Sequence, residues 1–398
     1  MNHSAPKNLP IVHLRQGKEE HLLRFHPWIF SGAIQRIDGQ PAEGDLVRVV
    51  NHNGNFMAIG HYQIGSIMVR VLSFVDEPID RAFYAQKIMA AYRMRLALGL
   101  ERTDNNTYRL VHGEGDGLSG LIIDKYGQTA VLQAHSAGMH YARQILAEIL
   151  TEKIPDIKQV FYKSTGTLPY KANLNPEDGY LIGHNTDDTA IENGFKFRID
   201  WLHGQKTGFF VDQRENRMLL EHYARGRNVL NMFCYTGGFS CYALRGGANL
   251  VHSIDSSAKA ISLTEQNVTA NFGSTQRHAA YTEDAFKFLE QIDNTYDLIV
   301  LDPPAFAKHR DAIHNALQGY RRLNAAAIDR IRNGGVLFTF SCSQAVTREQ
   351  FRTAVFSAAA QTHRNVRILQ QLTQPTDHPI NIYHPEGEYL KGLVLYVE

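Results

Sequence analysis

The segment Tyr296-Asp-Leu-Ile-Val-Leu-Asp-Pro-Pro-Ala-Phe306 decides the fold, because an apolar strand there ends in a carboxylate and two rigid prolines. A second segment, Gly334-Gly-Val-Leu-Phe-Thr-Phe-Ser-Cys-Ser343, has the same design and ends in a thiol between two serines. In a parallel α/β sheet, ligands bind at the carboxyl ends of the strands. We therefore expect Asp302 and Cys342 to face one crevice.

The surrounding pattern, from about residue 225 onward, is strand, turn and helix, repeated. Strands that alternate with helices predict a parallel sheet whose faces are covered by helices. Thr347-Arg-Glu-Gln350 fits a capping box, and Asn193-Gly194 fits the turn of a hairpin within residues 191–204. The predicted strands are Asn228–Met232, Leu250–Ile254, His278–Tyr281, Leu298–Leu301 and Val336–Phe340, and the predicted helices lie near 240–246, 257–272, 283–292, 311–333 and 347–362.

The N-terminal half has a different pattern. From residue 10 to about 76, short alternating segments are separated by glycines, which predicts a small β-barrel. Residues 80–100 then show helical periodicity with Asp80 as the N-cap, and further short strands follow. We predict an α/β protein of three domains, namely a small barrel over 1–77, a central α+β domain over 78–190 and a parallel-sheet domain with an N-terminal hairpin over 191–398.

Composition excludes several classes of protein. The chain has 398 residues, 43% of them hydrophobic, and its apolar runs are too short for a transmembrane helix. Met1–Lys7 lacks the apolar core of a signal peptide, and three cysteines form neither a disulfide framework nor a paired zinc motif. We expect a cytoplasmic protein. The net charge of +1 does not indicate nucleic-acid binding, so RNA affinity would need a local basic patch, and Arg81–Arg109 is either that patch or a solvated helix face.

The segment Phe233-Cys-Tyr-Thr-Gly-Gly-Phe-Ser240 follows a predicted strand and opens a helix, where glycines allow close approach of a ligand. Its spacing is not that of dinucleotide-binding folds. Asp255 ends the next strand and could accept hydrogen bonds from ribose hydroxyls, whereas Asp284 could meet an adenine edge and Asp302 a sulfonium. Each aspartate alone could equally be a helix N-cap. Together they suit S-adenosylmethionine, with Phe233, Tyr235, Thr236, Gly237, Gly238, Asp255, Asp284, Asp302 and Arg214 as the cofactor-binding candidates.

These segments resemble a known family. Phe233–Ser240 resembles the first motif of class I methyltransferases, Asp302–Phe306 their fourth, and Ser341–Ser343 the sixth motif of RNA cytosine-C5 methyltransferases. Further segments resemble the bacterial 23S ribosomal RNA cytosine-C5 methyltransferases that carry an N-terminal PUA domain, so that the resemblance covers nearly the whole chain. Those segments are Phe25–Phe30, Glu43–Val47, Arg109–Tyr126, Gly204–Arg214 and His384–Gly392. The resemblance implies a Rossmann-like methyltransferase sheet behind a PUA-like barrel, and ribosomal RNA as partner.

The chemistry implied is covalent catalysis, because carbon 5 of cytosine is a poor nucleophile until a thiolate adds at carbon 6. We expect Cys342 to be that nucleophile, although a free cysteine is more often a small buried apolar residue. Asp302 would hydrogen-bond the N3 or amino edge, and Pro303 and Phe306 would contact the base. Cys234 and Cys241 are expected in core or loop positions. The base that removes the carbon-5 proton is not assigned.

Several points stay open. Lys206 and Arg214 could bind a phosphate or the cofactor carboxylate, or lie on an exposed hairpin. His203, His378 and His384 lack metal-ligand spacing, so no metal is predicted. The alternatives to cytosine methylation are methylation of a guanine or adenine nitrogen and a non-catalytic RNA-binding assembly protein. The sequence identifies neither the target nucleotide nor the oligomeric state, with a homodimer among the options.

Overall fold

The structure is a computed structural model that describes residues 9–169, 172, 174–184, 187–307 and 309–398. The expectation for Met1–Lys7 lies outside this range. The chain divides into two compact units. The first comprises the described residues up to Gly194 together with Ile199–Val211 and Thr376–Gly387, and the second comprises Phe195–Arg198, Asp212–Pro375 and Glu388–Glu398. Among the described residues, no helix is both long and apolar enough to cross a bilayer.

The first unit begins with a six-stranded sheet of order β2-β6-β5-β4-β1-β3. Most neighbours are antiparallel, and β1 and β4 are parallel. Alternate residues such as Val12, Val47, Val49 and Val69 point into one core, as the period of two requires. Its elements are β1 (Ile11–Leu14), α1 (Glu20–Leu23), β2 (Trp28–Phe30), β3 (Ile34–Asp38), β4 (Leu46–Val50), β5 (Phe56–Tyr62) and β6 (Ile67–Ser73).

A second sheet of the same unit has five strands in the order β11-β10-β9-β8-β7 and is packed by helices, so the central part of the chain is α+β. Asp80 caps the first of these helices, as predicted, by accepting hydrogen bonds from the backbone N–H groups of Ala82 and Phe83. The elements are α2 (Arg81–Ala97), β7 (Thr107–His112), β8 (Leu121–Tyr126), β9 (Thr129–Ala134), α3 (Ala137–Tyr141), α4 (Arg143–Lys153), β10 (Gln159–Tyr162) and β11 (Gly179–Ile182).

From the sequence, Arg81–Arg109 is expected to form either a basic patch or a solvated helix face. Both expectations are wrong for two of its arginines, Arg95 and Arg109. Arg95 is fully buried and donates to both carboxylate oxygens of Asp116 and to the carbonyl of Asp377. Arg109 donates to both oxygens of the buried Asp124, at 2.8 and 2.9 Å. A buried guanidinium needs such partners, because an unpaired charge away from water is costly.

The second unit is built on a seven-stranded sheet of order β16-β15-β14-β17-β18-β20-β19. The first five of these strands are parallel, and β20 is antiparallel to both β18 and β19. The second unit also takes in β13, the second strand of a hairpin. The elements, from that hairpin onward, are β12 (Thr189–Glu192), β13 (Phe195–Arg198), α5 (Arg214–Tyr223), β14 (Asn228–Met232), α6 (Gly238–Arg245), β15 (Leu250–Asp255), α7 (Ala258–Phe272), β16 (His278–Thr282), α8 (Ala285–Gln291), β17 (Leu298–Leu301), α9 (Ile313–Arg330), β18 (Gly335–Ser341), α10 (Arg348–Thr362), β19 (Val366–Leu372) and β20 (Lys391–Val397).

Most local predictions for this part of the chain are confirmed. The five predicted strands are present, the Thr347–Gln350 capping box is formed, and Asn193 and Gly194 have the positive φ values of a tight hairpin turn. The sequence analysis missed α5 and the antiparallel strands β19 and β20. The strand order reverses at β14, which has β15 on one side and β17 on the other. A ligand crevice is therefore expected outside the carboxyl ends of β14 and β17.

Replacing Asp116 with alanine should lower the free energy of unfolding by about 3–5 kcal/mol, because the fully buried Arg95 would lose its counter-ion. Urea unfolding measures this loss. Glu152→Ala is the matched control, since it removes the partner of Arg81 in an exposed pair and should cost less than about 1 kcal/mol. Equal losses in the two variants would contradict the structural role of the Arg95–Asp116 pair.

Candidate functional site

The loop after β14 has an unusual backbone. Phe233, Tyr235 and Gly237 have φ values of 58°, 48° and 78°, and the first two are not glycines. Such conformations are strained for residues with side chains and are concentrated at functional sites. Two side chains of α7 hold the loop in place, because Thr264 donates to the carbonyl of Tyr235 at 2.9 Å and Asn267 donates to that of Thr236 at 2.8 Å.

The two glycines of this loop are also required by packing. A Cβ atom on Gly237 would lie 2.7 Å from the Thr264 side chain, and one on Gly238 would lie 3.0 Å from Arg217. Gly238 is the first residue of α6, so the loop leads directly into a helix N-terminus. The backbone here can approach a bound group closely, and the helix end favours an anion.

Asp255 ties this loop to the end of the neighbouring strand. One carboxylate oxygen accepts a hydrogen bond from the Tyr235 N–H at 3.0 Å, and the other accepts one from the Ser257 N–H at 2.9 Å. Each oxygen has a further lone pair with which it can accept a hydroxyl. Asp284, on the loop after β16, is exposed and acts as the N-cap of α8. The structure therefore shows a capping role for Asp284 and a bridging role for Asp255.

Asp302 follows β17 and has a perturbed carboxyl group. Burial, helped by the neighbouring Asp212 carboxylate, raises the pKa of Asp302 to about 7, although a hydrogen bond from Gln213 and the Arg217 guanidinium both act to lower it. These neighbours come from the segment 212–217 at the start of α5. Asp212 is itself held by the Tyr389 hydroxyl, which donates to it at 2.8 Å. Perturbed carboxyl groups of this kind are typical of catalytic sites.

Cys342 follows β18 and is partly buried. Its thiol contacts the carbonyl oxygen of Pro303 at 3.9 Å, so the two segments that the sequence placed in one crevice do meet. The flanking serines are buried and engaged elsewhere: Ser341 donates to the Tyr320 hydroxyl at 2.9 Å, and Ser343 donates to the carbonyl of Ala307 at 2.6 Å. The serines thus fix the strand end on either side of the partly buried Cys342.

Lys391 is a buried cation beside this thiol. It is the first residue of β20, it is 3% exposed, and its ammonium donates to the carbonyl of Ser343 at 2.5 Å. Burial lowers the pKa of Lys391 to about 8, an effect that the nearby Cys342 opposes. An ammonium next to a thiol favours the thiolate.

The proposed base-contacting residues differ in exposure. Pro303 is buried, and Phe306 is partly buried with its ring centroid 4.7 Å from that of Tyr320. Gly319 of α9 allows this packing, since a Cβ atom there would lie 3.0 Å from the Phe306 ring. Phe306 is therefore packed against α9 and remains partly exposed.

The remaining predicted residues are placed as follows. Arg214 is the first residue of α5 and is buried, so the alternative of an exposed hairpin is wrong for it. Lys206 is exposed and belongs to the first unit, whereas the site residues described above belong to the second. Cys234 and Cys241 are buried as expected, and burial raises the pKa of the Cys234 thiol to about 12.

Sequence reasoning missed four residues of this site, namely Asp212, Gln213, Arg217 and Lys391. The first two lie in Gly204–Arg214 and the last in His384–Gly392, which are segments that the family resemblance had marked. No motif spacing connects them with Asp302 or Cys342. Their proximity follows from the placement of α5 and β20 in the folded unit, which the sequence pattern alone does not give.

Comparison with known proteins agrees with this arrangement. Residues 12–74 match the PUA-like domain family, and residues 176–384 match the S-adenosylmethionine-dependent methyltransferase family. The chain is 39% identical over 394 residues to a ribosomal RNA large subunit methyltransferase I of Shewanella amazonensis, covering 97% of this chain and 99% of that protein. A protein of the same name from Tolumonas auensis is 39% identical and covers 96% of this chain and 98% of its own.

Among solved structures, a putative methyltransferase complexed with SAH superposes with a TM-score of 0.83 at 20% identity, covering 97% of this chain and 99% of that one. This likeness concerns the fold: an N-terminal PUA-like domain and a C-terminal Rossmann-like methyltransferase domain. The sequence similarity to the two relatives is stronger evidence than the shared fold, because it extends over nearly the full length of this chain and of each relative. The chain therefore belongs to the family of the ribosomal RNA large subunit methyltransferase I proteins and is an S-adenosylmethionine-dependent methyltransferase.

Proposed function

We propose that this protein transfers a methyl group to carbon 5 of a cytosine in large-subunit ribosomal RNA through a covalent adduct with Cys342. The observation that carries the proposal is the contact of the Cys342 thiol with the backbone that directly follows Asp302. A nucleophile and an acid beside one another suit attack on a pyrimidine ring. The ribosomal RNA substrate is inferred from the names of the relatives.

The cofactor would be held at the carboxyl ends of β14, β15 and β16. S-adenosylmethionine supplies an electrophilic methyl group on a sulfonium. The backbone of Phe233–Gly238 and the side chain of Arg214 would bind its carboxylate, and Asp255 would accept hydrogen bonds from its ribose. Asp284 and Asp302 would lie near the adenine and the sulfonium. The fit rests on the strained loop and on the bridging carboxylate of Asp255, both of which present polar groups at this edge.

The nucleophilic step is assigned to Cys342. Its thiolate forms a bond to carbon 6 of cytosine, and the electron pair of the 5,6 double bond moves to carbon 5 and N3. Carbon 5 then takes the methyl group as the bond between that group and the sulfonium sulfur breaks. The proton on carbon 5 passes to water, its electron pair re-forms the 5,6 double bond while the carbon–sulfur bond to Cys342 breaks, and N3 returns its proton to Asp302. Lys391 stabilises that thiolate at the start and at the end of the cycle.

Asp302 acts as the acid on the pyrimidine. Since its pKa is about 7, a large fraction of this carboxyl group carries a proton at neutral pH. A protonated carboxyl can donate to N3 as negative charge develops there. Pro303 and Phe306 border the space that the extruded base would occupy, and Phe306 offers it a ring edge.

Residues other than those that carry out the reaction would also bind the RNA. The PUA-like domain would contact the RNA backbone and shape rather than its sequence, and Lys206 would bind a phosphate. We propose domain boundaries at 1–77, 78–190 and 191–398, and a cytoplasmic location where ribosomal RNA is made.

Cys342→Ala should abolish methylation, with a loss of at least about 1,000-fold, because the alternative without covalent activation is far slower. Labelled S-adenosylmethionine and ribosomal RNA from cells lacking the enzyme provide the assay, and Cys241→Ala is the control for a buried thiol. RNA carrying 5-fluorocytosine should form a denaturant-resistant adduct with the wild type and none with Cys342→Ala. Undiminished turnover of Cys342→Ala, or methyl groups on purine nitrogens by mass analysis, would overturn the proposal.

Lys391→Met should lower kcat/KM at pH 7 about tenfold or more, because the positive charge that favours the Cys342 thiolate is lost. The acidic limb of the pH profile of kcat/KM should move toward higher pH, and activity should recover there. Lys391→Arg keeps the charge and should keep the limb near its wild-type position. If the acidic limb of the pH profile does not move in Lys391→Met, Lys391 does not act on the nucleophile.

Asp302→Asn should remove a pH dependence of stability. An aspartate with a folded pKa of about 7 binds a proton that the unfolded chain has already released, so the free energy of unfolding falls as pH rises from about 4 to 7. The fall amounts to at most about 4 kcal/mol, because the pKa of Asp302 is 3.8 in the unfolded chain and about 7 in the folded protein. Urea unfolding at pH 5 and pH 8 should show this fall in the wild type and in Asp293→Asn, an exposed control, but not in Asp302→Asn. An equal fall in all three would show that Asp302 is ionised at low pH.

A further inference from the structure

Two imidazoles and a carboxylate converge in the first unit, in a place that no motif spacing indicated. The Nε2 atom of His26 lies 3.3 Å from Oε2 of Glu386, and the Nε2 atom of His384 lies 3.7 Å from the same oxygen. One donor atom from each of the three residues lies within 4.8 Å of the other two. His26 lies two residues before the start of β2, whereas His384 and Glu386 lie more than 350 residues later in the chain.

His384 is the informative member of this cluster. Its side chain is 3% exposed, and neither ring nitrogen has a hydrogen-bond partner among the described residues. A buried polar group without a partner is costly, because it has lost its water and received nothing in exchange. A neutral imidazole with an unused lone pair is the commonest metal ligand in proteins. Nε2 of His384 lies 3.7 Å from the carboxylate of Glu386, whose side chain is 46% exposed.

The surroundings hold these rings in place. Nδ1 of His26 faces the backbone of Trp28: it lies 3.2 Å from the N–H, which donates to it, and 3.3 Å from the carbonyl oxygen. Metal binding at Nε2 would place the ring proton on Nδ1, where this carbonyl oxygen can accept it. The Trp28 ring packs edge-on against His384 at 4.2 Å, and its indole N–H donates to Glu114 at 2.8 Å. Phe25, next to His26, has a φ of 60°, the kind of backbone strain that accumulates at functional positions.

We propose that His26, His384 and Glu386 bind a divalent transition-metal ion, Zn²⁺ in the first place, with water in the fourth position. Two imidazoles and one carboxylate form a donor set that Zn²⁺ accepts in tetrahedral geometry. With metal–ligand bonds of about 2.0–2.1 Å, neighbouring donors lie about 3.4 Å apart, which is close to the two donor–donor distances given above. Such an ion would clamp the turn at 384–387 to the segment that leads into β2. These three residues belong to the first unit, and the metal proposal does not depend on the proposed reaction.

The test uses the full-length protein, purified without a polyhistidine tag and stripped with a chelator. Competition with a chromophoric chelator should give one equivalent of bound Zn²⁺. His384→Ala and His26→Ala should each weaken binding by more than about 100-fold, because even loss of an outer-shell partner costs about 10–100-fold. His52→Ala is the matched control: His52 contacts Glu19 at 3.5 Å, and no third donor joins that pair among the described residues.

Co²⁺ substitution identifies the donors independently. The wild type should show visible d–d bands of a tetrahedral complex without the near-ultraviolet charge-transfer band that a thiolate ligand produces. Zn²⁺ should also raise the melting temperature of the wild type and of His52→Ala, but not of His384→Gln, which retains a polar side chain in the buried position. Absence of stoichiometric binding by the wild type, equal affinity in His384→Ala and His52→Ala, or a thiolate band would each overturn the proposal.

Discussion

The pairing of β18 with its two neighbours determines the geometry of the candidate site in the second unit. On one side, Leu301 of β17 is paired with Thr339, which sets Asp302 at the edge where β18 ends. On the other side, Lys391 of β20 is paired with Ser341, which sets its ammonium next to Cys342. A slip of one residue in either pairing would turn the side chains to the opposite face of the sheet. The register of one buried strand therefore brings acid, thiol and ammonium together.

Charge at this edge of the sheet is arranged at a cost to stability. Asp302 and Asp212 are two carboxyl groups in a partly desolvated place, and burial and mutual repulsion both raise the pKa of Asp302. Gln213 and Arg217 lower it only in part. A fold selected for stability alone would place an amide or an apolar residue there. The strain in the Phe233–Gly237 loop has the same character, since unfavourable local conformations persist where function requires them.

The parallel sheet and its carboxyl-end residues could be predicted from sequence, because apolar strands followed by Asp302 and Cys342 have a strong local signature. The positions of α5 and β20 could not, since their contribution depends on contacts between segments far apart in the chain. Arg95 and Arg109 illustrate the same limit. Sequence periodicity predicts the helix α2 and the strand β7 that carry these arginines, but not how deeply each side chain is buried. The carboxylates that neutralise them belong to Asp116 and Asp124, which lie on other elements.

The three cysteines of the second unit allow a comparison within one domain. Cys241 is fully buried in α6, and Cys234 is buried next to the Thr264 hydroxyl, with burial raising the pKa of its thiol to about 12. Both are buried in the manner of structural thiols, which are generally inert. Cys342 alone is partly exposed, lies at a strand end and has a lysine ammonium nearby. The proposed attack on carbon 6 of a pyrimidine needs a nucleophile in such an environment, whereas methylation of an exocyclic or ring nitrogen does not.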